Sequence, residues 1–334
     1  MKLAKLTCER FAGVPDGSYA FGPLQRSGDD VRFVAGARGA GKTRLLEAVV
    51  ALKELVGAYR APPAFSSLIE PGAQKGRIGG TFVLNDAERD AAEHDSNELT
   101  VEFGLGEARA DSTEIPKLVR ELFAGYSHQA ARSKLEYFPA SRNLARYGEP
   151  TNELAEKLLR AGSHSAKYAG LAPHLVELSL ADGARALREA ATRGILMAGD
   201  APDSLARYRT ALAAVLPELR LRGAQLDDAG VPSLVFDRAG GGTVDVHHLS
   251  ESQKQIFLLV ATMLRLQLSH SIILLDMPEL HLHAADQSRI LPALLPLGRD
   301  NQWIVASGSS EILKGARRDQ MIVLSAAATS EPRR

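Results

Sequence analysis

Apolar and polar residues alternate through the opening stretch "MKLAKLTCERF", which reads as a first strand with Leu3, Leu6 and Phe11 as its apolar anchors. A turn follows at "GVPDGS", and "VRFVAG", Val31 to Gly36, is an apolar run ending in glycine, the pattern of a buried strand. The period then changes. From Thr43 to Tyr59, Leu45, Leu46, Val49, Val50, Leu52, Leu55 and Val56 recur at three and four, which predicts a helix. "APPAFSSLIEPGAQKG" is loop by its Pro and Gly content. The strands "GTFVLN" and "LTVEFGLG" bracket a charged connection at Asp86 to Asn97, and "KLEYFPASR" is a further short strand stopped by Pro139.

From Pro150 to about Arg222 the apolar residues take helical spacing without strand-like alternation, which predicts a helical insertion. Leu154, Leu158 and Leu159, then Leu171 to Leu187, then Leu205 to Leu216 mark three helices, with Gly194 and Pro202 in the breaks. "SLVFDRAGGGTVDVHHLS" reads as a hairpin turning at "AGGG". A long apolar helix follows Ser250, and "SIILLD" is the uninterrupted run expected of a central parallel strand. "MIVLS" is the last strand. The pattern therefore implies an α/β fold with a discontinuous core, 1–145 and 223–326, a helical lobe at 146–222 and a tail at 327–334.

Composition narrows this picture only in part. With 334 residues and 45% apolar content the chain can build about two domains or one elaborated α/β domain. Lys+Arg 40 balance Asp+Glu 40, so no bulk field favours nucleic acid, and DNA contact would need a local basic patch. The single cysteine, Cys8, forms no internal disulfide and fits a reducing compartment. The N-terminal stretch lacks the form of a signal peptide and no uncharged run approaches the roughly 20 residues that span a bilayer, so a cytoplasmic location is the expectation.

Chemistry enters at "GARGAGKT": Gly36, Ala37, Arg38, Gly39, Ala40, Gly41, Lys42 and Thr43 match G-x-x-x-x-G-K-[ST] between a buried strand and a helix. Such a loop converges backbone N–H groups on phosphate oxygens at a helix N-terminus. Lys42 then reaches the β and γ phosphates of ATP, and Thr43 ligates Mg2+. Asp276, at the carboxyl end of "SIILLD", stands where open α/β sheets bind ligands and supplies the second metal-side group. Ser250 and Gln253 form S-x-x-Q, which capping alone explains. His281 and His283, with His247 and His248, invite a zinc reading, but no Cys accompanies them.

Strand, P-loop, helical lobe, "LS-x-x-Q" and "hhhhD-x-PE-LHLH" together resemble the ABC-class ATPases of the RecF, SMC and OLD-like group, from "LTCERF" through "NQWIVASGSSEIL". The resemblance implies a P-loop NTPase fold with a mixed sheet, flanking helices and an N-terminal antiparallel sheet. It also implies that Ser250 and Gln253 cap the γ phosphate of a second subunit, so that a homodimer sandwiches two ATP. Arg10 and Phe11 stand in the segment that flanks adenine in that group. The insertion is too short and too broken for the coiled-coil arms of SMC proteins, and an OLD-type nuclease in cis is not expected past "MIVLS", so effector chemistry is assigned to a separate protein.

Three positions depart from the family pattern. Met277 replaces the usual glutamate base, Ser307-Gly308 replaces the Thr-His of the switch loop, and Ser141-Arg142 occupy about the place of a glutamine. Glu279 is the remaining carboxylate, a candidate base two residues displaced, with Ser307 as a candidate beside it. The resulting expectation is Mg-dependent ATP binding with slow hydrolysis, driving dimerisation and partner switching in DNA repair or anti-phage defence. The alternatives are a hydrolysis-deficient scaffold or sensor, which Met277 and Gly308 favour, and a transporter's ATPase subunit, which the weak "LSESQ" disfavours.

Overall fold

The computed structural model describes residues 1–24, 28–59, 67–106, 110–112, 115–125, 134–144, 165–193, 203–227 and 230–325. In chain order the first half comprises β1 (Lys2–Glu9), β2 (Gly17–Ala20), β3 (Asp30–Gly36), α1 (Lys42–Val56), β4 (Lys75–Val83), α2 (Asp86–Ala91), β5 (Glu98–Gly106), β6 (Ala110–Ser112), α3 (Lys117–Ala124) and β7 (Leu135–Phe138). The second half comprises α4 (Leu171–Arg193), α5 (Ala206–Val215), β8 (Leu219–Leu226), β9 (Pro232–Arg238), β10 (Thr243–Asp245), α6 (Glu251–Leu266), β11 (Ile272–Asp276), α7 (Ala284–Leu294), β12 (Gln302–Ala306), α8 (Ser310–Leu313) and β13 (Met321–Leu324).

Five strands, in the order β13-β3-β12-β11-β7, form a sheet whose neighbours all pair in parallel. Its apolar runs are continuous because both faces are covered. On β11, Ile273 and Leu275 enter one core cluster with Phe257 and Val260 of α6, while Ile272 and Leu274 enter the other with Val49 and Leu52 of α1. Period-two side-chain alternation thus splits one strand between two cores. An antiparallel sheet, β2-β1-β4-β5-β6, covers the α1 side. Gln302 joins the two sheets: its Nε2 donates to Leu3 O at 2.7 Å and its Oε1 accepts from Leu3 N at 2.6 Å, with both residues fully buried.

The third sheet, β10-β9-β8, contains the expected hairpin at "AGGG" and packs on α6, where the rings of Phe236 and Phe257 meet edge-to-face with centroids 5.7 Å apart. Its strand β8 starts at Leu219, so the helical stretch expected to run to Arg222 ends earlier, at Val215. Leu219, Leu221 and Gly223 are buried and Arg220 and Arg222 exposed, which is strand alternation. Two of the three expected lobe helices are present as α4 and α5. The helix expected around Leu154 to Leu159, and the tail, lie outside the described residues. The charged connection at Asp86 to Asn97 contains α2, nucleated by a capping box between Asn85 and Glu88.

Candidate functional site

β3 delivers the chain into the glycine-rich loop with Gly36, Gly39 and Gly41 at φ 151°, 82° and 93°. Two of these glycines are required by space as well as by φ. A Cβ on Gly41 would lie 2.5 Å from Gly13 O, and one on Gly36 would lie 2.6 Å from Leu324 O. Nothing lies within 4 Å of a Cβ on Gly39, so that part of the loop faces open space. Ala37, Arg38 and Gly39 are exposed and Ala40 is buried against the core. The Lys42 ammonium curls over the loop, donating to Gly36 O at 2.8 Å and Ala37 O at 3.0 Å.

Thr43, in the first turn of α1, meets Asp276 at the end of β11. Its hydroxyl lies 2.9 Å from Oδ2 and 3.1 Å from Oδ1, across 233 residues of chain. Parallel pairing of β3 and β11 on either side of β12 brings both carboxyl ends to this place. Burial raises the Asp276 pKa, with Glu47 and Glu279 adding to the rise, while the Thr43 hydrogen bond and the Arg142 charge oppose it. The oxygen-only pair of Thr43 and Asp276 suits a hard divalent cation that keeps most of its shell as phosphate and water oxygens. Among the described residues no three His, Cys, Asp or Glu side chains converge on a metal position, the four histidines included.

Beyond Asp276 the chain turns sharply. Met277 adopts φ 46°, in the left-handed region, and its N–H donates to Ala306 O at 2.8 Å. Glu279 then reaches the loop after β12, where its Oε2 accepts from Ser307 Oγ at 2.9 Å and its Oε1 from Gly308 N at 2.8 Å. Ser307 is itself fully buried and donates its N–H to Val34 O at 3.1 Å, beside the start of the P-loop.

A family model described as "AAA domain, putative AbiEii toxin, Type IV TA system" matches residues 33–314. The chain belongs to this family. Solved structures of SMC head domains share its fold. One, an SMC head bound to the C-terminal winged-helix domain of ScpA, superposes with a TM-score of 0.56 at 14% identity, covering 96% of both chains. Another, an SMC head with an extended coiled coil bound to the C-terminal domain of ScpA from Pyrococcus furiosus, gives 0.56 at 15% identity, covering 98% of this chain and 94% of that one. No curated protein matches the sequence. This AAA-family chain thus carries a P-loop ATPase domain with the fold of SMC heads. Among its described residues no helix is long and apolar enough to cross a membrane.

In this AAA-family fold the remaining candidates separate into two places. Ser250 and Gln253 form a complete capping box at the start of α6: Gln253 N donates to Ser250 Oγ at 3.3 Å and Ser250 N to Gln253 Oε1 at 3.1 Å. Gln253 Nε2 also donates to Glu218, 3.0 Å away, and among the described residues no hydrogen bond joins this box to the P-loop. Phe11 is 4% exposed and bridges to Ile69, so it is core rather than an adenine neighbour. Arg10 is exposed, at φ 51°.

Two further charged residues act on Asp276, neither of which the sequence assigns a catalytic or binding role. Glu47 lies one turn past Thr43 on the same face of α1, a spacing that could have flagged it. Arg142, three residues past Pro139 and in about the place of the family's glutamine, is buried against the Asp276 turn.

Proposed function

We propose that this AAA-family protein binds Mg-ATP at the Gly36–Thr43 loop, hydrolyses it slowly, and dimerises around two nucleotides to switch a separate effector protein. The observation that carries the reading is the contact between Thr43 and both oxygens of Asp276 beneath a glycine loop of matching form. The loop amides and the N-terminus of α1 favour the phosphates. Lys42 exchanges its two carbonyl acceptors for phosphate oxygens, and Thr43 with Asp276 holds the cation. Bound Mg2+ would neutralise charge on the phosphate oxygens.

Hydrolysis requires a water whose oxygen bonds to the γ phosphorus as the bond to the β-phosphate oxygen breaks, leaving ADP and phosphate. Glu279 is the carboxylate assigned to orient that water and take its proton, and Ser307 is left to meet the γ phosphate. To act, Glu279 must give up its bonds to Ser307 and Gly308. Loss of a well-positioned base costs about 10² to 10⁴ in rate, so a displaced one leaves turnover slow. Ser250 and Gln253 would cap the γ phosphate of the second copy, since Ser250 is exposed at a helix start.

The family description, a putative toxin of a type IV toxin–antitoxin system, supports a defence role alongside a separate protein ahead of a repair role. A second reading, a nucleotide-held scaffold without hydrolysis, is favoured by the engagement of both Glu279 oxygens. Phosphate release separates the two. Slow turnover above a Lys42→Ala control supports the ATPase reading, and turnover equal to that control, with Mg-ATP still bound, supports the scaffold.

A further inference from the structure

We propose that Arg142 is a positioning residue that couples the Asp276 turn to helix α6, so that nucleotide bound at the P-loop acts on the helix carrying Ser250. The inference rests on the nucleotide reading above. Arg142 is 2% exposed, and its guanidinium divides its donors among three segments. Nε donates to Gln255 Oε1 at 2.9 Å, Nη1 to Pro139 O and Asp276 O, both at 2.7 Å, and Nη2 to Met277 O at 3.1 Å. Gln255 answers with its own Nε2, which donates to Arg142 O at 2.9 Å. Side chain and main chain of Arg142 are therefore both locked to α6.

This arrangement is costly as a stabilising device. Among the described residues no carboxylate lies within ion-pair distance of Arg142, and taking a charge out of water is expensive even with Asp276 and Glu279 acting on it from further away. What the planar fork supplies is geometry, because its donors leave in fixed directions within one plane. Met277 shows where that geometry is applied. Its left-handed backbone is held at the N–H by Ala306 O and at the carbonyl by Arg142, so the turn between Asp276 and Glu279 is fixed from both sides. Gln255 lies five residues past Ser250, about 7 to 8 Å along a stiff helix, so a displaced turn tilts the end that carries Ser250. The strand feeding Arg142 is also anchored: Lys167 pairs with Glu136 of β7 at 3.1 Å, and both side chains are fully buried.

Hydrogen exchange with and without a magnesium-bound, non-hydrolysable ATP analogue tests the coupling, at a protein concentration where light scattering reports a monomer. In the parent, the analogue should slow exchange in peptides covering residues 36–46 and also in those covering 246–256. Gln255→Leu and Arg142→Lys should keep the P-loop effect and an analogue affinity within about twofold of the parent, yet lose the effect at 246–256 by about tenfold or more. The double variant should lose no more than either single one. A merely structural Arg142 would lower the melting temperature and leave the ligand-induced slowing at 246–256 in place, which overturns the coupling. So does a parent that slows at the P-loop alone, with the nucleotide reading intact. If the parent shows no slowing at 36–46, the nucleotide reading fails and the coupling falls with it. Gln255→Leu leaves Arg142 in place, so the comparison stands even if Arg142→Lys does not fold.

Discussion

Ser307 Oγ donates to Glu279 Oε2 at 2.9 Å, tying the loop after β12 to the turn after β11. With Gly308 N on the other oxygen, the carboxylate sits where a switch-loop histidine is absent and two residues past where a glutamate is absent. If Glu279 supplies the missing base, Glu279→Gln should reduce phosphate release to the level of Lys42→Ala while ATP affinity stays within about twofold. Met277→Glu should raise parental turnover by about tenfold or more, because a general base is worth at least that. Unchanged turnover in both variants leaves the scaffold reading.

Assembly depends on a different place in the chain. Ser250 caps α6, is exposed, and makes no hydrogen bond to the P-loop of its own chain among the described residues. Light scattering should report a dimer with Mg-ATP or a slowly hydrolysed analogue and a monomer without it. Ser250→Arg should remain monomeric in both conditions while still binding nucleotide. One unchanged mass for parent and variant alike contradicts capping in trans.

Asp276 gives a pH signature. Burial raises its pKa above the ordinary aspartate value, so the folded chain binds its proton more readily than the unfolded chain does. The associated stability is fully present below the unfolded pKa and is lost as pH rises through the folded one. In the absence of Mg2+, Asp276→Asn should therefore melt above the parent at pH 7, with the gap closing as pH falls toward the ordinary carboxylate range. Added Mg-ATP should raise the parent's melting temperature and do little for the variant. A gap that widens on acidification contradicts this assignment.

Gln302 carries a stability prediction independent of function. Replacing it with Leu leaves the N–H and C=O of Leu3 buried without their partner, and each such loss costs about 1 to 3 kcal/mol. Denaturant unfolding should show Gln302→Leu less stable by about 2 to 5 kcal/mol. A loss under about 0.5 kcal/mol would mean that β1 finds other partners.

The ATPase core was legible because its signals are local. A buried strand, a glycine loop and a helix follow one another within "VRFVAGARGAGKT", and the run "SIILLD" announces its own burial on both faces. β8 was obscured because Leu219 and Leu221 directly follow the helical leucines of α5, and two alternating positions do not outweigh a longer helical pattern. The capping box at Asn85 lies among charges that read equally well as a solvated loop. The pairing of Arg142 with Gln255 spans 113 residues with no periodicity to betray it, and it needs both the parallel pairing of β7 with β11 and the packing of α6 on that sheet. Likewise the engagement of both Glu279 oxygens follows from where two loops meet, which no spacing within either loop encodes.

The central claim is that Lys42, Thr43 and Asp276 make one Mg-ATP site. Titration calorimetry of the parent and Lys42→Ala with Mg-ATP tests it most directly. The parent should bind close to one nucleotide per chain, and Lys42→Ala should show no saturable heat over the same range. Equal binding by both proteins, or none by the parent, would contradict the site.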